Sequence, residues 1–380
     1  MKTVLHLSHT DINYDGRILK EMNALMKVGF SVKGIGVNMS EGVAHSSLNE
    51  GIDIKSITLL SRTFTLLPKF IMHFLSVIEI IFKMLVSIIK TRPDVIHCHD
   101  TIVLPLGVIA KKITKSYLIY DAHELESDRN GLSKKLGQLT LLVEKFLWRF
   151  IDSFIVVSPS ILNWYRSNIG NKSGAIILNS PIIDEEKNIN YEGYLRKSFS
   201  IPEDKKIFIY VGILAPGRGL EQIISVFKND ELDACVVFLG YGNLSKEIFE
   251  LSNQYENIYL HNAVKHEEVT LIVSSADVGL CLVQNVSLSD YFCLPNKLFE
   301  YSFSGIPVLA SNFPDISQMV KTYQLGICCD LDTASISQAI LQFVKSDNEF
   351  VICKSTIQPL SWQAQEVRLQ NFYRSLLSNK

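Results

Sequence analysis

The chain has 380 residues, of which 47% are hydrophobic and 20% are charged. That composition excludes an intrinsically disordered chain, and the length is sufficient for two domains with separate cores. Because 37 lysine and arginine residues nearly balance 39 aspartate and glutamate residues, the net charge of −2 argues against a broad basic surface, and we expect no nucleic-acid partner. Seven cysteines without a CxxC pair, and an N-terminus without a long apolar signal core, favour a reduced, cytoplasmic setting.

The charge is unevenly distributed along the chain. Up to Ser180, 15 lysines and 6 arginines stand against 8 aspartates and 7 glutamates, a net of +6, so the remainder carries −8. Such a division is expected if only the first half of the protein meets an anionic surface.

The predicted elements alternate between short β-branched runs and longer helical patterns, which is typical of βαβ units and a parallel sheet. The first half is predicted to contain a helix from near Arg17 to Gly29 and strands at 3–8, 31–37, 95–98, 118–121, 153–158 and 175–178. The second half repeats the pattern with strands at 207–211, 235–239, 258–261, 278–282 and 307–310. We therefore predict an α/β protein with two Rossmann-like, doubly wound domains, connected within residues 179–202. These domains are expected to face each other across a ligand-binding cleft at the carboxyl ends of their strands.

Residues 64–90 form an almost entirely apolar segment. Lys69, His73, Glu79 and Lys83 interrupt it before a clean run of about 18 apolar residues is reached, so a spanning helix is the least favoured interpretation. Two alternatives stay open. One is a buried or half-buried crossover helix, and the other is a helix in the membrane interface with its lysines at the headgroups. Peripheral contact through 64–90, at the inner face of a membrane, is therefore one predicted interaction.

The sequence IFIYVGILAPGRGLEQIISVF combines a strand, a glycine-containing loop and an amphipathic helix. Gly212, Gly217 and Gly219 would let backbone N–H groups approach an anion, and the helix start adds partial positive charge. Arg218 supplies a guanidinium that suits bidentate contact with a phosphate. The alternative is an ordinary tight turn with a solvated arginine.

A second anion site is predicted within DYFCLPNKLFEYSFSGIPVLAS. Pro295 suits the first position of a helix, so the amides of Asn296 and Lys297 would face outward from the helix start. Glu300, one turn later, could accept two hydrogen bonds from a vicinal diol such as ribose. Spacing alone favours instead an exposed Glu300 paired with Lys297.

The segments GILAPGRGLE and LPNKLFEYSFSGIPVLAS together resemble the donor half of glycosyltransferase family 4, retaining nucleotide-sugar enzymes of the GT-B fold. HTDINYDGRILKEMNALMKVGFSV, DVIHCHDTIVLPLGVIAKK and IYDAHELES resemble the acceptor half of bacterial surface-polysaccharide members. The segment SWQAQEVRLQNFYRSLL resembles a helix that crosses back to the first domain. The resemblance implies an acceptor-side domain over 1–180, a donor domain over 181–358 and a returning helix over 359–380.

The same resemblance implies roles for individual residues. Arg218 matches the basic residue that holds the donor diphosphate, and Glu300 matches the second glutamate of a pair, which binds the nucleotide ribose. Asn296 and Lys297 match positions whose backbone amides touch the distal phosphate, and His123 matches a histidine near the transferred sugar. The resemblance also implies donor-loop glycines at Gly212, Gly217 and Gly219, and a glycine turn beside the nucleobase at Gly240 and Gly242. It implies three acceptor-side residues as well: Asp15, Arg17 and His99.

Two departures from the family pattern stand out. The first glutamate of the pair, which grips the sugar hydroxyls, is replaced by Phe292, so Asp290 supplies that acid or it is absent. The usual arginine after the first donor-loop glycine is replaced by Ile213, for which the side chain of Lys297 is a candidate substitute.

Histidine and carboxylate side chains also follow two predicted strands of the first half: His97, His99 and Asp100 at one, and Asp121, His123 and Glu124 at the other. Imidazole and carboxylate groups are zinc ligands, so a metal site could be assembled from them. We favour packing and hydrogen-bonding roles for His97 and His99, and because the family needs no metal here, we expect no metal and no cofactor.

We predict transfer of a sugar from a nucleotide-diphosphate donor to a glycan or lipid-linked acceptor, with retention, by a hexosyltransferase-type enzyme of surface polysaccharide biosynthesis. Arg218, the loop amides and the helix start at Asn296 suit the negative charge that develops on the departing diphosphate. His123 is assigned to holding hydroxyls rather than to general-base catalysis. The alternatives are a non-catalytic GT-B subunit, a two-domain binding protein and a GT-B epimerase.

Overall fold

The computed structural model describes residues 1–38, 48, 51–63, 68–182, 191, 193–229, 232–345 and 350–378. The chain divides into two compact units. Unit 1 comprises Met1–Ile177 and Glu366–Lys380, and unit 2 comprises Leu178–Gln365. The first segment of unit 1 ends three residues before the predicted boundary at 180, and the chain re-enters unit 1 seven residues after the predicted boundary at 359. Part of the predicted connection, 183–190 and 192, lies outside the described residues.

Unit 1 is a parallel seven-stranded sheet in the order β3-β2-β1-β4-β5-β6-β7. Its strands are β1 Thr3–Leu7, β2 Ser31–Val37, β3 Asp53–Ile57, β4 Val95–His99, β5 Tyr117–Ala122, β6 Ser153–Val156 and β7 Gly174–Ile176. Its helices are α1 Gly16–Met26, α2 Lys69–Thr91, α3 Asp100–Thr114, α4 Lys134–Leu147 and α5 Pro159–Asn168. The sequence-based prediction missed β3, an edge strand in which exposed residues alternate with partly buried ones.

Unit 2 contains a parallel six-stranded sheet in the order β10-β9-β8-β11-β12-β13. Its strands are β8 Lys206–Ile213, β9 Ala234–Tyr241, β10 Ile258–Asn262, β11 Val278–Cys281, β12 Val308–Ser311 and β13 Gly326–Cys329. The remaining helices are α6 Tyr194–Phe199, α7 Leu220–Phe227, α8 Ser245–Ser252, α9 His266–Val273, α10 Leu288–Tyr291, α11 Asn296–Phe303, α12 Pro314–Tyr323, α13 Thr333–Lys345, α14 Lys354–Ile357 and α15 Trp362–Ser378. The four-residue strand β13, GICC, was also missed.

Each sheet reverses its strand order at one place, between β1 and β4 in unit 1 and between β8 and β11 in unit 2. Ligands of doubly wound sheets bind beside the carboxyl ends of the strands at such a switch point. In unit 2 the two strands pair only through Val278 with Phe208 and Gly279 with Ile209. Beyond these pairs β8 and β11 part, which opens a crevice at their carboxyl ends.

Tyr301 of α11 bridges the parted strands. Its hydroxyl accepts a hydrogen bond from the backbone N–H of Val211 at 2.9 Å and donates one to the carbonyl of Leu280 at 3.2 Å. Its ring is fully buried and lies where a Cβ on Gly279 would be. One side chain therefore satisfies two backbone groups that the interrupted ladder leaves free, and fixes α11 against the crevice.

We expect Tyr301→Phe to lower the free energy of unfolding by about 1–3 kcal/mol, because it leaves a buried N–H and a buried carbonyl without partners. Urea unfolding followed by circular dichroism measures the change. Tyr241→Phe, at a tyrosine that is 67% exposed, serves as the matched control and should unfold like the wild type. Equal stability of the wild type and Tyr301→Phe would contradict this account of α11.

Candidate functional site

The loop after β8 approaches the end of β11 very closely. Gly217 and Gly219 have φ angles of +80° and +81°, a conformation that favours glycine. A Cβ on Gly219 would overlap the carbonyl oxygen of Leu282, the residue after β11. The two glycines therefore place Arg218 directly at the parted ends of the strands.

Arg218 is half-buried there. Among the residues that the structure describes, none forms an ion pair or a side-chain hydrogen bond with its guanidinium. Burial raises the pKa of the Cys293 thiol well above its ordinary value, and the charge of Arg218 is close enough to oppose that shift. The loop after β8 and the segment before α11 are thus neighbours.

Lys297 brings α11 close to the carboxyl end of β8. Its Nζ lies 3.6 Å from the ring centroid of Tyr210 on β8, and a Cβ on Gly212 would be 3.7 Å from that Nζ. Pro295 is the N-cap of α11, so the helix begins one residue later than predicted, at Asn296. The structure therefore brings the two predicted anion sites together around one crevice.

Glu300 lies one turn into α11 and is only 9% exposed. The exposed helix position favoured by spacing alone is therefore wrong, because α11 packs this face inward. Asp290, the candidate substitute for the missing acid, accepts a hydrogen bond from the Ser287 hydroxyl at 2.6 Å, next to the start of α10. The ring of Phe292 packs at a tilt against that of Tyr291, and its hydrocarbon side chain cannot replace the carboxylate of the family's first glutamate.

Gly240 and Gly242 let the end of β9 approach the end of β8 and Leu214 closely. Gly240 is in register with Gly212, and a Cβ on Gly240 would overlap the Gly212 carbonyl oxygen. A Cβ on Gly242 would likewise overlap the carbonyl oxygen of Leu214. Both positions therefore require glycine for packing, and their predicted place beside a nucleobase stays a prediction.

A cluster of histidines occupies the switch point of unit 1. His6 on β1 is in register with His97 on β4, and His99 on β4 is in register with Asp121 on β5. Side chains of paired residues in parallel strands point to the same face, and residues two apart share a face. The topology alone thus gathers these four side chains and His123, two residues after Asp121, at one edge of the sheet.

Three of these imidazoles form a chain that leads from the core to the surface. His6 Nδ1 lies 2.9 Å from His99 Nε2, and His99 Nδ1 lies 3.0 Å from His123 Nε2. The side chain of His123 is 19% exposed, whereas those of His6 and His99 are buried. His123 is therefore the member of this chain that can meet a ligand.

The acceptor-side residues predicted alongside His123 have structural duties. Arg17 is buried, with its guanidinium 3.1 Å from both Asp121 and Glu21, and it donates a hydrogen bond to the Ile177 carbonyl. Asp15 caps α1 by accepting hydrogen bonds from the amides of Arg17 and Ile18. Arg17 and His99 are both buried. The Arg17 Nη atoms and both His99 ring nitrogens have partners within unit 1, whereas Arg17 Nε has no hydrogen-bond partner among the described residues. Contact of either residue with an acceptor stays a prediction.

The cluster sets the protonation of its members. Burial alone would lower the pKa of His123, but the charges of Asp100 and Asp121 outweigh it and raise that pKa to about 10. Burial lowers the pKa of His97 to about 3. At neutral pH His123 is therefore an imidazolium that donates hydrogen bonds, which suits holding hydroxyls and not general-base catalysis.

Sequence reasoning missed two members of this region. Glu126 is buried next to Asp100, and burial together with that neighbouring charge raises the pKa of Glu126 to about 9. The hydroxyl of Tyr373 on α15 lies 2.7 Å from His97 Nδ1. Glu126 belongs to the segment YDAHELES, so the sequence offered it as a candidate acid. Tyr373 is 276 residues away from His97 in the sequence, and only tertiary packing brings the two side chains together.

Two sets of side chains are close enough together to be metal ligands: His6, Glu21, His97 and His99; and His99, Asp121 and His123. Their ligand atoms already lie within contact of one another, and the Arg17 guanidinium places a positive charge 3.1 Å from Glu21. Hydrogen bonds and the Arg17 ion pair engage His99, His123 and Asp121. Among the described residues, none forms a hydrogen bond with His6 Nε2, His97 Nε2 or the two Glu21 carboxylate oxygens, which are buried. Independence of metal stays a prediction.

We expect His97→Gln to alter how stability depends on pH. The unfolded chain protonates His97 below about pH 6.5, whereas the native cluster keeps it neutral down to about pH 3, so the wild type loses stability as the pH falls from 6.5. The stability advantage of the wild type over His97→Gln should therefore shrink between pH 6.5 and 5, with a slope approaching about 1.4 kcal/mol per pH unit.

Tyr373→Phe is the matched control, because it removes the same hydrogen bond but leaves His97 titratable. Its stability difference from the wild type should not change over that pH range. Urea unfolding at several pH values measures both, and parallel pH profiles for the wild type and His97→Gln would rule out a neutral, buried His97.

Two family models match the chain in succession. The model described as Glycosyltransferase Family 4 matches residues 28–187, and the model described as Glycosyl transferases group 1 matches residues 194–355. The first falls mainly on unit 1 and the second falls within unit 2.

Similar proteins are found among curated sequences and solved structures. The chain is 22% identical over 376 residues to chitobiosyldiphosphodolichol beta-mannosyltransferase of Kluyveromyces lactis, covering 89% of this chain and 81% of that protein. Its fold is similar to sucrose-phosphate synthase from Thermosynechococcus elongatus, with a TM-score of 0.77 at 17% identity, and to Anabaena HepE in complex with UDP and glucose, with a TM-score of 0.73 at 15% identity; each comparison covers 100% of both chains. With its two parallel α/β units, the chain belongs to glycosyltransferase family 4 and has the GT-B fold.

Proposed function

We propose that the protein transfers a sugar from a nucleotide-diphosphate donor to a glycan or lipid-linked acceptor, with retention of anomeric configuration, in surface polysaccharide biosynthesis. The observation that carries the donor assignment is the convergence of Arg218, Lys297 and the start of α11 at the parted ends of β8 and β11. UDP and glucose bound to the structurally similar HepE support a nucleotide-sugar donor. The chitobiosyldiphosphodolichol named for the Kluyveromyces lactis relative supports a lipid-linked acceptor.

The site residues suit the charge that the reaction creates. Breaking the anomeric bond makes the sugar oxocarbenium-like and leaves negative charge on the departing diphosphate. Arg218, the amides of the loop after β8 and the amides of Asn296 and Lys297 would bind that charge in a preorganised pocket. Glu300, buried one turn further along α11, is assigned to the ribose hydroxyls.

Retention needs no protein nucleophile in this scheme. The acceptor hydroxyl attacks from the side that the diphosphate leaves, and the departing phosphate takes the acceptor proton. His123, positively charged through Asp100 and Asp121, donates hydrogen bonds to hydroxyls of the sugar or the acceptor. The anomeric configuration of the product, read by NMR coupling constants, tests retention.

A second candidate function is a non-catalytic GT-B subunit that supports an active partner. Phe292 and Ile213 favour it, because they remove an acid and a cation that the family pattern supplies, and Asp290 is already hydrogen-bonded to Ser287. Hydrolysis of any nucleotide sugar by the isolated chain would argue against this candidate.

Arg218→Ala should abolish stabilisation by nucleoside diphosphates. A ligand at 100 times its dissociation constant stabilises a native protein by about 2.7 kcal/mol, so UDP or GDP should raise the melting temperature of the wild type. We expect that rise to disappear in Arg218→Ala and to decrease in Lys297→Ala. Lys246→Ala, at an exposed lysine of α8, is the control and should respond like the wild type. An unchanged melting-temperature response in Arg218→Ala would contradict the assignment of Arg218 to the diphosphate site. The turnover rate of the same variant should fall about 10²–10³-fold.

Glu300→Gln should distinguish ribose from phosphate binding. A hydrogen bond to a charged group contributes about 1.5–3 kcal/mol, so this variant should bind UDP or GDP about 10–100-fold more weakly. Inorganic pyrophosphate has no ribose, and its affinity should be unchanged in Glu300→Gln but lost in Arg218→Ala. Titration calorimetry with both ligands measures the four values. Equal loss of pyrophosphate and nucleotide binding in Glu300→Gln would mean that Glu300 acts on the phosphate side or on folding.

A further inference from the structure

Three helices of unit 1 lie side by side on one face of its sheet, α2 against α3 and α3 against α4. A Cβ on Gly107 of α3 would overlap the Sγ of Cys98, so α3 covers the face to which Cys98 points. His97 and His99 alternate with Cys98 and point to the other face. The three helices therefore form the outer layer on the side of the sheet away from the histidine cluster.

This layer concentrates exposed apolar side chains. Of the 24 large hydrophobic side chains that are exposed in the described part of the chain, 13 lie on these three helices, which hold 52 residues. They are Val77, Ile78, Ile81, Phe82, Val86 and Ile89 on α2, Ile102, Ile109 and Ile113 on α3, and Leu136, Leu139, Leu142 and Phe146 on α4. So large a clustered apolar surface indicates a binding function.

The charge on the same helices is strongly positive. They contain eight lysines and three acids, and each acid is engaged within unit 1. Glu79 accepts hydrogen bonds from the amides of Leu60 and Ser61, Glu144 is buried against two tyrosine hydroxyls, and Asp100 faces His123. Two of the eight lysines are themselves paired within unit 1, Lys83 with Glu79 and Lys111 with Asp152.

Cations stand directly beside aromatic rings at the end of α4. The Arg149 guanidinium lies 4.6 Å from the ring centroid of Phe146, and Lys112 Nζ lies 4.4 Å from that of Phe150. Such pairs place an apolar ring and a positive charge at the same level, which suits the boundary between acyl chains and headgroups.

We propose that α2, α3 and α4 together form a docking surface for a membrane that contains anionic lipids. Helices that lie in the membrane interface combine an apolar face with lysine and arginine, and anionic headgroups attract such cations. The core of a protein–protein interface is instead depleted of lysine. The proposal extends the contact predicted for 64–90, of which 64–67 lie outside the described residues, to α3 and α4. Across the part of the chain that the structure describes, no helix combines the length and apolarity needed to cross a bilayer.

Flotation of the full chain with phosphatidylcholine vesicles, with and without 40% phosphatidylglycerol, tests the proposal. We expect the wild type to float with the anionic vesicles at low salt and not with the neutral ones. Leu139→Glu/Leu142→Glu, and separately Lys134→Glu/Lys135→Glu, should each lower the partition coefficient at least about tenfold, because two apolar contacts or two cations are lost. Phe249→Glu, at a 57% exposed phenylalanine of unit 2, is the matched control and should float like the wild type.

Circular dichroism and melting temperature establish that each variant is folded. Wild type that stays unbound at low salt, or Leu139→Glu/Leu142→Glu that floats normally, would overturn the proposal. A dimer that light scattering detects in the wild type and that Leu139→Glu/Leu142→Glu dissociates would assign the surface to a second copy of the chain and also overturn it. All three helices belong to unit 1, whereas the proposed nucleotide site lies in unit 2. Nucleotide binding by each variant is therefore a separate measurement, and the flotation results do not affect its interpretation.

Discussion

The parting of β8 from β11 is the constraint on which the proposed donor site depends. Two parallel strands that stopped pairing would leave a backbone amide and a carbonyl unsatisfied in the core, and the Tyr301 hydroxyl satisfies both. The same tyrosine fixes α11, so the amides at the start of that helix remain beside the crevice. Gly219 then allows the loop that carries Arg218 to close onto the end of β11. The crevice proposed to bind the diphosphate thus results from an interrupted sheet, one bridging side chain and a glycine turn.

The two units share this topology but use their switch points differently. In unit 1, the Arg17 guanidinium contacts Asp121, Glu21 and the Ile177 carbonyl, so its positive charge is neutralised by two carboxylates of the histidine cluster. In unit 2, Arg218 keeps a guanidinium with no ion pair among the described residues. A cation that is already neutralised is a poor phosphate ligand, whereas an unpaired one in a half-buried crevice is a good one. This contrast is the physical reason for assigning the diphosphate to unit 2.

Features that depend on residues within one short segment could be predicted from the sequence, whereas features that depend on distant partners could not. Gly217, Gly219 and Arg218 stand in one short segment, and the start of α11 stands in another, so local sequence was enough to predict a glycine turn and a helix start there. That these residues bind a diphosphate stays a prediction. Glu300 was misjudged on spacing alone, because its burial depends on how α11 packs and not on its neighbours at i−3. Tyr301 and Tyr373 carried no signal, since each acquires its role from partners 21 to 276 residues away. The edge strand β3 and the four-residue β13 were too short or too polar for their periodicity to register.

A crystal structure of the chain with UDP or GDP bound would test the central claim most directly. We expect the diphosphate to lie against residues 217–219 and the amides of Asn296 and Lys297, with the ribose hydroxyls at Glu300. A diphosphate bound at the histidine cluster of unit 1, or anywhere that leaves the loop after β8 and the start of α11 without contact, would contradict it.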